Sequence, residues 1–124
     1  MSRPRILIAD DEQHIVSLLS MTLRKRGYEV LTADNGHKAL ELLSAFVVDL
    51  LIVDQTMPGM SGVELCRQLD GSIPVLMVTA RPEIQADEAT NITGVIHKPF
   101  SPSVLAARVE ALIGPGIQTR EQSA

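Results

Sequence analysis

Short apolar runs alternate along this chain with stretches whose apolar residues recur at helical spacing. The first run, Arg5 to Ala9, is bounded by Pro4 and by the aspartates Asp10 and Asp11. From about Glu12 to Arg26, Ile15, Leu18, Leu19, Thr22 and Leu23 recur on one helical face. Arg24, Lys25 and Arg26 suit the negative end of that helix's dipole, and Gly27 supplies the stop. Tyr28 to Ala33 reads as a more exposed strand. Gly36 to Ser44 follows as a helix capped by Asn35, with Ala39, Leu40 and Leu43 facing inward. Leu50 to Val53 has no polar alternation, as a strand covered on both faces should.

In the second half, Ser61 and Glu64 have the spacing of a capping box for a helix that carries Val63, Leu65, Cys66 and Leu69 and stops at Gly71. Pro74 to Val78 is the next strand, with proline at its tolerated first position. Glu83 to Ala89 is a weak, short helix candidate, and Gly94 to His97 is the last strand. The final helix has Ser101 as its cap, Pro102 in its first turn, and Leu105, Val109 and Leu112 along one face.

Five strands alternating with helical segments make a parallel sheet with helices on both faces the economical arrangement. Crossover handedness leaves few layouts, among them the doubly wound order 2-1-3-4-5. In that order the first and third strands are neighbours, so Asp10, Asp11 and Asp54 meet at a topological switch point. Domain boundaries follow: residues 1–114 form one α/β domain, and 115–124 are a polar tail, either a frayed terminus or the start of a linker.

Composition narrows the classes of function. The 124 residues, 45% hydrophobic and 21% charged, suit one globular domain with a real core. A net charge of -4 argues against direct nucleic-acid binding, and the basic run Arg24 to Arg26 reads as a helix terminus rather than as a nucleic-acid patch. Cys66 is the only cysteine, which excludes an internal disulfide and a cysteine-based zinc site. No apolar run is long enough to span a bilayer and none resembles a signal peptide, so the expected setting is cytoplasmic and reducing, away from membranes.

Polar residues stand where the apolar runs end: Asp10 and Asp11, Asp54, Thr79, and Lys98. Taken singly, the paired aspartates also read as a helix cap with a solvated charge, Thr79 as a turn residue and Lys98 as a loop residue. Together they form a different set. Packed carboxylates are costly unless a cation or proton separates them, and hard oxygen donors suit Mg²⁺, completed by a backbone carbonyl just past Asp54, water and substrate oxygens. Neither GxxxxGK nor GxGxxG occurs, so an anion must be held by the metal, Thr79, Lys98 and backbone amides. Such a site can form an aspartyl-phosphate on Asp54.

Asp10-Asp11, Asp54 with Pro58 and Gly62 in DQTMPGMSG, Thr79-Ala80 and Lys98-Pro99-Phe100 together resemble the receiver domain of bacterial two-component response regulators, from about Arg5 to Leu112. The resemblance implies a flavodoxin-like fold of the chemotaxis-regulator type, in which this chain's own sequence makes a shortened fourth helix expected. It makes Asp54 the phosphoacceptor, taking a phosphoryl group from a sensor histidine kinase or histidine phosphotransfer protein and losing it to water. Asp11 and Asp54 would ligate Mg²⁺, with Mn²⁺ as an alternative, Asp10 acting through water and the Thr56 carbonyl completing the set. Thr79 would move toward the phosphoryl group, Lys98 would pair with it, and the Lys98-Pro99 bond would be cis. Autophosphorylation and autodephosphorylation at Asp54 would then be the only chemistry. A downstream protein effector would read the result.

Three features depart from the family. The stretch between Thr79 and Lys98 is shorter than in most receivers, and Pro82, Asn91, Thr90, Ile92 and Thr93 make it a poor helix, expected to be one or two turns or irregular. Val95 stands where receivers often carry a reporting aromatic residue, and His97 beside Lys98 reads as a surface-strand residue. Thr56 and Arg81 match positions that flank the phosphate, and with no acidic or amide side chain there to orient water, slow autodephosphorylation is expected. Other readings remain: a receiver module of a hybrid sensor kinase or larger regulator acting mainly through protein contacts, and a hydrolase using Asp54, which lacks an evident acid/base partner.

Overall fold

The computed structural model describes residues 3–87 and 90–117. Its strands are β1 (Arg5–Ala9), β2 (Glu29–Ala33), β3 (Leu50–Val53), β4 (Val75–Thr79) and β5 (Gly94–His97). Its helices are α1 (Gln13–Lys25), α2 (Gly36–Ala45), α3 (Gly62–Arg67) and α4 (Pro102–Ile113). All strand pairs are parallel, and the order is β2-β1-β3-β4-β5, the doubly wound arrangement expected.

Alternation along the strands divides the core into two layers, because successive side chains point to opposite faces. Ile6, Ile8, Ile52 and Val78 pack with Leu19 of α1 and Leu105 of α4. Leu7, Leu51 and Met77 pack on the other face with Ala39 of α2 and Leu65 and Cys66 of α3. β1, β3 and β4 are covered on both sides, which explains their unbroken apolar sequences. Burying each large aliphatic side chain contributes about 1.5–3 kcal/mol. No helix among the described residues is long and apolar enough to cross a membrane.

Local signals explain most boundaries. The Asn35 side chain accepts the Lys38 amide at 2.8 Å and starts α2. Ser61 and Glu64 form the complete capping box of α3, at 3.1 and 2.9 Å. The cap expected from Ser101 does not form: its hydroxyl pairs with that of Ser103 at 2.9 Å, leaving Pro102 to begin α4.

Residues 80–93 hold no α-helix among those described, so the expected short fourth helix takes its irregular form. Asp87 and Ile92 instead form an isolated antiparallel bridge through reciprocal backbone bonds of 2.9 and 3.1 Å. Pro82 removes an amide at the start, and Asn91, at φ +62°, reverses the chain near the end. Glu88 and Ala89 lie outside the described residues. Beyond α4, the start of the expected tail is tied down: the Ile117 amide donates to the Gly27 carbonyl at 3.2 Å and the Tyr28 hydroxyl to the Gly114 carbonyl at 2.6 Å. Residues 118–124 lie outside the described residues.

Candidate functional site

Neighbouring strand ends are stitched together by backbone bonds. The Asp10 amide donates to the Ala33 carbonyl and the Asp54 amide to the Ala9 carbonyl, each at 3.0 Å, and the Lys98 amide donates to the Thr79 carbonyl at 2.8 Å. Register does the rest: Ala9 pairs with Val53, so Asp10 and Asp54 leave the sheet side by side. Both are buried, at 3% and 6% exposure, and Thr79 at 1%. The loop beyond Asp54 is folded back on itself, with the Gly62 amide on the Gln55 carbonyl at 2.9 Å. A Cβ at Gly62 would lie 2.5 Å from the Asp54 carbonyl, so the close approach itself requires glycine.

Lys98 reaches into this acidic crevice, and its preceding role in the chain matches expectation in that the Lys98-Pro99 bond is cis. Its Nζ lies 3.5 Å from Asp54 Oδ2, 3.6 Å from Asp10 Oδ2 and 2.8 Å from Glu12 Oε1. Burial raises Asp54 above the usual carboxyl range, against the lowering pull of Lys98 and of the Thr56 amide. Burial likewise raises Asp10, opposed by the Glu12 amide, which donates to Asp10 Oδ1 at 2.9 Å, and by Lys98. For Lys98, desolvation pulls downward, but the Glu12 hydrogen bond and the Asp10 and Asp54 charges outweigh it and the net shift is upward.

The expected residues fall into an inner and an outer group. Asp10, Asp54, Thr79 and Lys98 line the crevice ends of the strands. Asp11 is exposed beside them and stands outside the cluster of carboxylate oxygens, which consists of Asp10, Glu12 and Asp54 within 4.8 Å of one another. Thr56 is exposed and turns its amide toward Asp54. Thr79 Oγ1 accepts the Arg81 amide at 3.0 Å, while the Arg81 guanidinium pairs with Glu83 at 2.7 Å. His97 is exposed, and Val95 is half-buried against the α2 and α3 side of the sheet.

Glu12 is the member that sequence reading assigned only to a helix start. Its signal was positional: it follows Asp10 and Asp11 at the N-cap of α1, three residues past the end of β1. Three carboxylates face one ammonium here, and two of the three are buried. That excess of negative charge on hard oxygen donors fits a divalent cation such as Mg²⁺.

A family model described as the response regulator receiver domain matches residues 6–110. The alkaline phosphatase synthesis transcriptional regulatory protein PhoP of Bacillus subtilis (strain 168) is 37% identical over 119 residues, covering 88% of this chain and 48% of PhoP. The chain spans about half the length of the curated relatives it matches. The chemotaxis response regulator CheY4 of Vibrio cholerae superposes with a TM-score of 0.82 at 32% identity, covering 90% of this chain and 99% of that one. Response regulator TrrA of Thermotoga maritima, solved in complex with Mg²⁺ and BeF, gives a TM-score of 0.79 at 34% identity, covering 88% and 98%.

Proposed function

The chain belongs to the response regulator receiver domain family, and from that membership we propose that Asp54 accepts a phosphoryl group from a phosphohistidine in two-component signalling. An Asp54 carboxylate oxygen attacks phosphorus, the P–N bond breaks, and the histidine nitrogen leaves with its electron pair. Hydrolysis reverses the load: water attacks phosphorus, and the P–O bond to Asp54 breaks to give carboxylate and inorganic phosphate. The observation that carries this reading is a buried carboxylate, Asp54, beside a second, Asp10, with a lysine Nζ 3.5 Å away.

Asp11 and Asp54 would hold Mg²⁺, with Asp10 acting through water and the Thr56 carbonyl as the backbone donor. When bound, the ion offsets charge building on the phosphoryl oxygens. Lys98 pairs with one phosphoryl oxygen. Thr79, freed from the Arg81 amide it now accepts, donates to another. With Arg81 engaged by Glu83 and Thr56 too short to orient water, we expect slow hydrolysis, and a half-life of seconds would contradict this.

The partner is a histidine kinase or phosphotransfer protein, and which one is set by surfaces outside the crevice. A second reading is favoured by the chain's spanning about half of its curated relatives: residues 1–114 serve as the receiver module of a larger regulator or hybrid kinase, joined through 115–124. Intact mass after incubation with acetyl phosphate and Mg²⁺ tests the chemistry. One phosphoryl adduct, absent from D54N, is expected. Turnover of many phosphate esters without a lasting adduct would instead indicate a hydrolase.

A further inference from the structure

The shortest contact of Lys98 is with neither residue of the proposed phosphorylation chemistry's core. Its Nζ is 2.8 Å from Glu12 Oε1, the length of a charge-assisted hydrogen bond, against 3.5 Å to Asp54 and 3.6 Å to Asp10. At 3.5 Å the Asp54 contact is at the outer limit of a hydrogen bond, and at 3.6 Å the Asp10 contact is Coulombic, so both are weaker than the Glu12 bond. Glu12 is half in solvent and Lys98 mostly buried, with side-chain exposures of 45% and 16%. The acceptor that holds the lysine therefore sits at the rim while the lysine stem runs through the crevice. We infer that Glu12 is a positioning residue: it holds Lys98 just off Asp54 in the unmodified protein and yields it to an incoming phosphoryl oxygen.

Two consequences follow from the chemistry. A carboxylate that accepts a short hydrogen bond from lysine has a lone pair committed, and is a poorer nucleophile than one that the ammonium touches only at the limit of contact; Glu12 keeps Asp54 in the second condition. The same bond must break when Lys98 turns to a phosphoryl oxygen, so Glu12 competes with the phosphoryl group for the ammonium. His14, whose Nε2 is 3.8 Å from Glu12 Oε2 at the exposed surface, is the other basic group facing Glu12.

The inference rests on the receiver reading, and the test separates the two. Beryllofluoride, a phosphoryl mimic, is titrated with saturating Mg²⁺ into wild type, E12Q, K98M and the double variant. Removing the competitor should tighten binding in E12Q by about fivefold, the effect of one partly exposed charge-assisted bond. In the K98M background the same change should have no effect. Mg²⁺ affinity alone, measured calorimetrically, should stay within about threefold of wild type in E12Q, as expected when no ligand is lost. Equal tightening with and without Lys98 would reduce Glu12 to a background charge and overturn the inference, as would unchanged binding in E12Q. A tenfold or greater loss of Mg²⁺ affinity would make Glu12 a metal ligand and overturn it as well. Wild type that binds no beryllofluoride would bring down the receiver reading itself, and this inference with it.

Discussion

Asn91 donates through its side-chain amide to the Cys66 carbonyl at 2.9 Å and to the Leu69 carbonyl at 2.8 Å. One side chain thus bonds two carbonyls at the end of α3, that of Cys66, which also accepts the Leu69 amide at 3.1 Å, and that of Leu69 just past the helix. It does so from the connection between β4 and β5, at a φ of +62° that asparagine tolerates better than most residues. Replacing it by alanine removes both bonds and adds strain, and we expect a loss of about 2–4 kcal/mol in urea unfolding. Asn91→Gly removes only the bonds and should lose about 1 kcal/mol less. Equal losses would mean that the backbone at 91 carries no strain.

Gly27 is crossed by the chain leaving α4. Its φ is +92°, and a Cβ there would run into the Ile117 backbone. Gly27→Ala should therefore cost about 1–2 kcal/mol from the backbone alone, and more from the displaced segment. Ending the chain at Gly114 should leave the backbone part and abolish the remainder. A G27A penalty identical in both lengths, by chemical denaturation, would show that residues 115–117 do not press on this site.

The strands and the acidic crevice were legible because each rests on a strong local signal. Leu50 to Val53 has no polar residue, and Asp54 stands abruptly after it. Parallel register then brings Asp10 and Asp54 together. What escaped the sequence depends on rotamers and long-range bonds. Ser101 has the right identity for a cap, yet its hydroxyl finds Ser103. Glu12 looks like an ordinary first-turn acid until Lys98, 86 residues away, is placed 2.8 Å from it. The start of the polar tail has no apolar pattern to announce that Ile117 bonds to Gly27.

Cys66 is fully buried, and burial pushes its thiol up to about 12. The thiolate is the reactive species, so both access and ionisation oppose modification. At pH 8, labelling by a water-soluble disulfide reagent should run at least about a hundredfold slower in the native protein than in denaturant, tracking transient opening. Fast stoichiometric labelling without denaturant would show that α3 opens locally at little cost.

Asp54 gives a pH dependence whose sign is set by its burial. An unfolded Asp releases its proton near 3.8, whereas desolvation holds the folded carboxyl above that value despite Lys98 and the Thr56 amide. The folded state therefore binds the proton more tightly than the unfolded state does. That stabilisation is fully present below the unfolded value and is lost as the pH rises through the folded one. At pH 7.5 without metal, the ionised carboxylate works against the fold, and Asp54→Asn, which cannot ionise, should raise Tm. Each kcal/mol of such a gain reads as roughly 3–6 °C in a domain of this size. Lowering the pH from 7.5 into the acid range should narrow the gap between variant and wild type, since the folded wild type regains its proton at a higher pH than the unfolded chain does. Mg²⁺ should narrow it too, by stabilising the wild type through its binding energy. Scanning calorimetry of both proteins with EDTA and with Mg²⁺, at pH 7.5 and in the acid range, checks all three directions, and a D54N protein that melts below wild type in EDTA at pH 7.5 would show that Lys98 and the Thr56 amide outweigh the cost of burying the charge.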